Sequence, residues 1–295
     1  MVPGLYRLLS GSNGGGTSSA SYCFGIWAKH LSLLRANGMR DVPASIAELG
    51  PGNTLGVGIC ALLSGASSYY ALDVDRYSEV NENLRLLDEL VELFISRAPI
   101  NIGGWPDFSN YLDADRFPSA LPRDLLSRTM TRPRIASIRD ALRGRPSDII
   151  VRYIAPWNDE ALIDKGSVGL ILSHSVLEHV ADVDHTMRAC AAWLQPDGWV
   201  SHQVDFSSHD VTKEWNGHWE YPQWAWRLVL GGRPYLINRV PADVMVECLR
   251  AHGFRIEMEL HLKRTDGLSR ERLARPWQTK AVDSASLYVQ ARLSV

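Results

Sequence analysis

A chain of 295 residues with 45% hydrophobic content can bury one good core, so a single domain with insertions is the expected organisation. A formal charge of −2 and a pI near 6.5 give no global field toward nucleic acid or acidic membranes. Cys23, Cys60, Cys190 and Cys248 show neither metal-ligand spacing nor the density of a disulfide scaffold, no apolar run nears the ~18 residues of a membrane span, and the N-terminus lacks a basic-plus-apolar signal; a soluble cytoplasmic protein is expected.

In chain order, Gly11 to Ser19 is flexible by composition, and residues 21–37 follow as a helix with Phe24, Trp27, Leu31 and Leu34 on one face. Residues 1–40 are thus either a leader with a packing helix or a lid over a ligand. Ser45 to Leu49 reads as a first strand and Tyr69 to Leu72 as a second. Val80, Leu84, Leu87, Val91 and Phe94 mark a long helix. Residues 95–147 form an insertion rich in proline, with seven arginines between Arg123 and Arg145 against Asp124 and Asp140. It is either a solvated helical insertion or a cap that offers positive charge to an anionic acceptor. Asp148 to Tyr153 is a third strand, Val168 to Leu172 a fourth, buried on both faces. A helix from Asp182 to Leu194, a Gln195-Pro196-Asp197-Gly198 turn and a fifth strand from Trp199 to Phe206 come next. A second insertion spans about 207–236. Pro241 to His252 is a helix closed by Gly253. Phe254 to Leu262 and Ser286 to Leu293 close as an antiparallel pair. The whole reads as α/β, with the main domain over residues 41–295.

Glu48-Leu49-Gly50-Pro51-Gly52 joins the first strand to an apolar helical run. Gly50 and Gly52 let the backbone turn and approach a ligand with no Cβ in the way. Asp73, 21 residues after Gly52 at the end of the second strand, can accept hydrogen bonds from both ribose hydroxyls of a nucleoside. The third glycine of the pyrophosphate fingerprint is out of register, since Leu55 stands there with Gly56 one later. An acid two residues before the first glycine suits a cofactor with an ammonium group. Ser173 to Asp182, including Leu177-Glu178-His179-Val180, follows the fourth strand, and Leu194-Gln195-Pro196-Asp197-Gly198 follows the next helix. On these elements, over residues 45–206, the chain resembles the class I S-adenosylmethionine-dependent methyltransferases. Ser201 to Phe206 and Trp215 to Trp219 further resemble a branch associated with bacterial surface glycans.

The resemblance implies a Rossmann-like, doubly wound seven-stranded sheet, mostly parallel with an antiparallel last strand, and S-adenosylmethionine as cofactor. It implies that Glu48, Gly50 and Gly52 line the methionine end, that Asp73 holds the ribose, that Trp157 with Ala155 and Pro156 neighbours the adenine, and that Ser173 and His174 lie beneath the sulfonium. Methylation of a hydroxyl benefits from a base within ~3 Å of its proton, and histidine is the usual choice. His209, in the loop after the fifth strand, is the preferred base, and His179 the second. Each also has a packing explanation, and His202, inside the fifth strand, reads as a satisfied core residue. Trp215, His218 and Trp219 are candidates for an acceptor wall, or for hydrophobic anchoring of the insertion. Asp205, His209 and Asp210 could ligate a divalent ion, but their spacing is not a metal signature and no metal is assigned.

The expected activity is therefore methyl transfer to a small-molecule or glycan hydroxyl, with an anionic acceptor as one use of the arginine-rich segment. A non-catalytic binding protein of the same fold and a nicotinamide-dependent oxidoreductase are the alternatives. The register of the glycines and the Leu-Glu-His-Val turn count against the latter. Nucleic-acid methylation is disfavoured, because Ser173-His174-Ser175-Val176 stands where an amine-binding Asn/Asp-Pro-Pro-Tyr/Phe motif would be.

Overall fold

The computed structural model describes residues 16–100, 116–157, 159–231, 235–280 and 282–294. The glycine-rich residues 11–15, residues 101–115 of the first insertion and residues 232–234 of the second lie outside it. Its strands are β1 (Ser45–Leu49), β2 (Ser68–Leu72), β3 (Ile150–Ile154), β4 (Val168–His174), β5 (Leu194–Asp205), β6 (Phe254–Lys263) and β7 (Ser284–Leu293). The helices that matter below are α1 (Ala20–Ala36), α2 (Gly56–Leu63), α3 (Val80–Ile95), α4 (Arg123–Thr129), α5 (Arg132–Leu142), α6 (Val183–Trp193), α7 (Gln223–Leu230) and α8 (Ala242–Ala251).

The strands form one sheet in the order β3-β2-β1-β4-β5-β7-β6. β1 to β5 pair in parallel, and β7 runs antiparallel between β5 and β6. This is the expected Rossmann-like, doubly wound seven-stranded sheet, mostly parallel with an antiparallel last strand. The Val168 to Ser173 stretch of β4 is buried throughout because helices cover both faces of the sheet. One face carries a core built by α1, α2, α3 and α5, with Trp27, Leu31, Ile59, Leu87 and Ile138. The other carries α6 and α8, with Met187, Trp193, Met245, Trp215 and Trp219. Strand order reverses between β1 and β4, and ligands bind outside the carboxyl ends of strands at such a switch point. Register brings those ends level: Leu49 lies beside Leu72 on one side and Ser173 on the other.

One expectation is corrected. β5 begins at Leu194 rather than Trp199, because Leu194 already pairs with Val168. The expected turn survives as a kink within the strand, where Asp197 takes φ 62° and the ladder slips between Val168 and Leu170. Of the two readings of the first insertion, the described half agrees with the helical one. Leu126, Ile138 and Leu142 of α4 and α5 join the first core. Arg134 donates to the carbonyls of Leu62 and Ala66, at the far end of α2. That end lies at the edge of the sheet opposite Gly50 and Asp73, since α2 runs back from the carboxyl end of β1. Arg128 and Arg145 pair with Asp124 and Asp140, and Arg139 with Asp88. Among the described residues, no helix is long and apolar enough to cross a membrane.

Candidate active site

The β1–α2 turn has Gly50 at φ 64° and Gly52 at φ 75°, left-handed values that favour glycine. A Cβ on Gly50 would sit 2.5 Å from a methyl of Val176, so the turn after β4 packs directly against the glycine loop. The Gly50 N–H donates to the Leu72 carbonyl at 2.8 Å, which ties this loop to the end of β2. There the Asp73 carboxylate accepts from the N–H of Val74 at 2.7 Å and of Gly52 at 3.4 Å. Burial pushes Asp73 up to about 6. Loop, carboxylate and β3 are continuous, because the Asp73 N–H donates to Ile154 and the Trp157 N–H to the Asp73 carbonyl.

Other members of the expected cofactor set have different surroundings from those anticipated. Glu48 is buried, and its carboxylate accepts from the Tyr69 hydroxyl instead of facing an open pocket. Its place in β1, under α2, leaves burial as the main influence and raises it to about 7. The Trp157 ring packs on His185 and Trp193 of α6, so its backbone, not its ring, is what adjoins Asp73. Ser173 turns away from α1 and bonds His202 Nδ1 at 2.8 Å. His174 faces α1 instead, with its ring edge-on to Tyr22 and His30. Burial lowers His174 and His202 alike to about 3, so both are neutral near neutral pH.

One contributor was not anticipated. Thr17, in a short 3-10 turn at Gly16–Ser18, accepts from the Asn53 N–H at 3.0 Å through its hydroxyl, and its carbonyl accepts from the Thr54 hydroxyl. The chain before α1 therefore rests on the glycine loop, with nothing in local sequence pattern to announce it.

Beyond the ends of β4 and β5 a second polar group assembles. Leu177–His179 forms one 3-10 turn, held by Asn238, whose side chain donates to the carbonyls of Leu177 and Val180. His209 Nε2 lies 4.0 Å from Glu178 Oε1 and 3.9 Å from Asp205 Oδ2. The His179 and His209 rings are 4.9 Å apart. Glu178 is fully buried, and neither of its carboxylate oxygens has a hydrogen-bond partner. Burial holds it well above the usual carboxylate range, and burial also lowers His179. The expected bases His179 and His209 are thus brought together, and Glu178 joins them although it had been read only as part of a motif. Asp210 is not gathered into the group.

The tryptophan cluster is corrected from acceptor wall to core. Trp215 and Trp219 are buried edge to face at 6.2 Å, and the Trp219 indole donates to the Arg239 carbonyl. His218 is buried with its ring 4.1 Å from that of Trp219, and burial lowers it to about 3. Arg239 lies between Trp226 and Trp277 and donates to the carbonyls of His218 and Tyr221. Trp224 of α7 alone among these four tryptophans of 215–226 is exposed.

Residues 157–259 match a family model described as a methyltransferase domain. A ubiquinone biosynthesis O-methyltransferase from Bordetella avium is 38% identical over 60 residues, 20% of this chain. That match spans a quarter of the relative's length (25%). Among solved structures, an S-adenosylmethionine-dependent methyltransferase from Mesorhizobium loti aligns with 17% identity and a TM-score of 0.44, covering 90% of this chain and 97% of that one. Phosphoethanolamine N-methyltransferase 2 of Haemonchus contortus, in complex with S-adenosyl-L-methionine, aligns with 13% identity and a TM-score of 0.46, covering 95% of this chain and 57% of that one.

Proposed function

Residues 157–259 match a methyltransferase domain, and from that match, the strand order and the glycine loop with Asp73 we propose a class I S-adenosylmethionine-dependent methyltransferase that transfers a methyl group to the hydroxyl of a small molecule or glycan. The observation that carries this reading is the contact of Val176 with Gly50. It makes the glycine loop and the Glu178–His179–His209 group neighbours across a single turn. S-adenosylmethionine fits the first of these: a left-handed glycine turn that a Cβ would fill, and a carboxylate at the end of β2 with two acceptor oxygens for a ribose.

When bound, that cofactor supplies an electrophilic methyl group. Asp73 would hold the ribose, and the Gly50–Gly52 backbone would lie along the methionine end. Transfer to a hydroxyl then asks the protein for alignment, exclusion of water and a place for one proton. His209 takes that proton, with Asp205 Oδ2 3.9 Å from its Nε2 and His179 as the second imidazole. The partial likeness to a protein named as an O-methyltransferase supports oxygen over nitrogen as the methylated atom.

Calorimetric titration with S-adenosylmethionine, S-adenosylhomocysteine and NADH tests the cofactor half. Both adenosyl ligands should bind and NADH should not, and Asp73→Ala should weaken binding by at least about tenfold, as loss of a charge-assisted pair implies. Transfer of a labelled methyl group to a panel of phenols, catechols and sugars tests the other half. His209→Ala should lower kcat by roughly 10²-fold or more with little change in cofactor affinity. An unchanged kcat would remove His209 from the chemistry.

A further inference from the structure

We propose that Glu178, His179 and His209, with Asp205 beside them, form a binding site for one divalent transition-metal ion at the ends of β4 and β5. Each of the three offers one ligand atom, and these atoms lie within 4.8 Å of one another. Bonds of about 2.0–2.2 Å to nitrogen and oxygen place ligand atoms up to about 4.2 Å apart across an ion. The observed 4.0 Å from His209 to Glu178 and 3.9 Å from His209 to Asp205 already meet that. The widest pair needs to close by less than an ångström. His209 can make that movement, since its side chain is 32% exposed.

Two further observations separate this group from a chance gathering of polar residues. Glu178 is a fully buried carboxylate whose oxygens complete no hydrogen bond, with only the pull of the Glu178 and Asp205 backbone N–H groups to offset its burial, and it is turned toward His209. His179 Nδ1 is 3.0 Å from the carbonyl of Tyr235, which can only accept. The proton must therefore sit on Nδ1, leaving the Nε2 lone pair free. That is how a backbone carbonyl orients a ligating imidazole. Two imidazoles and one or two carboxylates suit zinc, iron(II), cobalt(II) or manganese(II) better than magnesium or calcium, which prefer oxygen alone.

This inference concerns ion binding and does not depend on which acceptor is methylated. It does rest on the placing of the acceptor end in one respect. The two roles of His209 exclude each other: it takes the acceptor's proton in the ion-free protein, whereas with the ion bound it would be a ligand, the ion would make a nearby hydroxyl more acidic, and that proton would pass to water. A second trio, Asp184, Cys248 and His252, provides an internal control, because there the Asp184 carboxylate already pairs with His252 Nε2 at 2.9 Å.

The test is calorimetry on chelator-treated full-length protein with Zn²⁺, Co²⁺ and Mg²⁺, in the absence of cofactor and acceptor, with the visible spectrum of the Co²⁺ form recorded. One equivalent of Zn²⁺ or Co²⁺ should bind. Glu178→Gln and His209→Ala should each weaken it by roughly tenfold or more, as loss of a ligand or its orientation does. Cys248→Ser/His252→Asn should leave it intact. His209 lies on a surface loop, so its variant keeps the test valid if Glu178→Gln fails to fold. Wild type binding no ion, His209→Ala binding as wild type does, loss of the ion in the Cys248/His252 variant, or equal preference for Mg²⁺ would each overturn the site. None of those outcomes touches cofactor binding, so the methyltransferase reading stands or falls separately.

Discussion

Asp73 sits at about 6 because burial disfavours its charge, and cofactor binding should carry that signature. Ribose hydroxyls donate best to an ionised carboxylate, so binding selects the deprotonated form. Affinity for S-adenosylmethionine should then rise with pH through about 6 and level off above it. At pH 5 it should be about tenfold weaker than at pH 7.5, since one pH unit below the pKa leaves about a tenth of the groups ionised. Glu48 and Asp75 are the neighbouring carboxylates, and Glu48 titrates at about 7, so Glu48→Gln is the control that isolates Asp73. Calorimetry at the two pH values checks this; an Asp73→Asn protein with the same slope would assign it elsewhere. The meeting of Asp73 with the glycine turn was legible in the sequence, because a sharp turn after a strand fixes both residue type and spacing. Thr17 and Asn238 were not, since each acts across a distance in sequence that no local pattern spans. Glu178 stood in a visible motif, but only the fold shows its carboxylate buried and unpaired.

At the scale of single elements, α6 illustrates a start signal that sequence and structure share. Asp182 stands before the first helical residue, extended at φ −131° and ψ 94°, and its side chain accepts from the His185 N–H at 2.9 Å. That satisfies one of the N–H groups a helix start leaves open. Asp182→Ala should lower stability by about 1 kcal/mol, seen as an earlier urea midpoint with an unchanged m-value. A loss below a few tenths would mean that water replaces the cap at no cost. Parallel strands buried on both faces were equally legible, because a continuous apolar run bounded by turns has few other uses. The tryptophan segment was not, because ligand walls and protein cores both select large aromatic side chains. Only the packing of Trp215 on Trp219, with Arg239 behind them, decides for the core.

Across the whole molecule the N-terminal helix has the largest consequence. Amphipathic pattern alone left α1 as either a packing helix or a lid, and the long-range contacts speak for packing. Phe24, Ile26, Trp27, Leu31, Leu33 and Leu34 are buried in the first core. The Trp27 indole donates to Ser64 at 2.8 Å, beneath α2, and His30 Nδ1 lies 2.7 Å from the Ser201 hydroxyl of β5. Six such side chains at roughly 1.5–3 kcal/mol each amount to as much as the whole stability of a typical domain, about 5–15 kcal/mol. A chain begun at residue 41 should therefore show no cooperative unfolding transition and should expose apolar surface to a dye. In the full-length protein, the far-ultraviolet signal and tryptophan fluorescence should lose structure in one coincident transition. S-adenosylmethionine at 100 times its Kd should shift that transition upward by about 2.7 kcal/mol, and the same concentration should shift Asp73→Ala by about 1.4 kcal/mol or less. A shortened chain that melts cooperatively near the full-length temperature would show α1 to be a detachable cover. The Thr17 contacts with the glycine loop would then be its hinge on the cofactor, not an extension of the core.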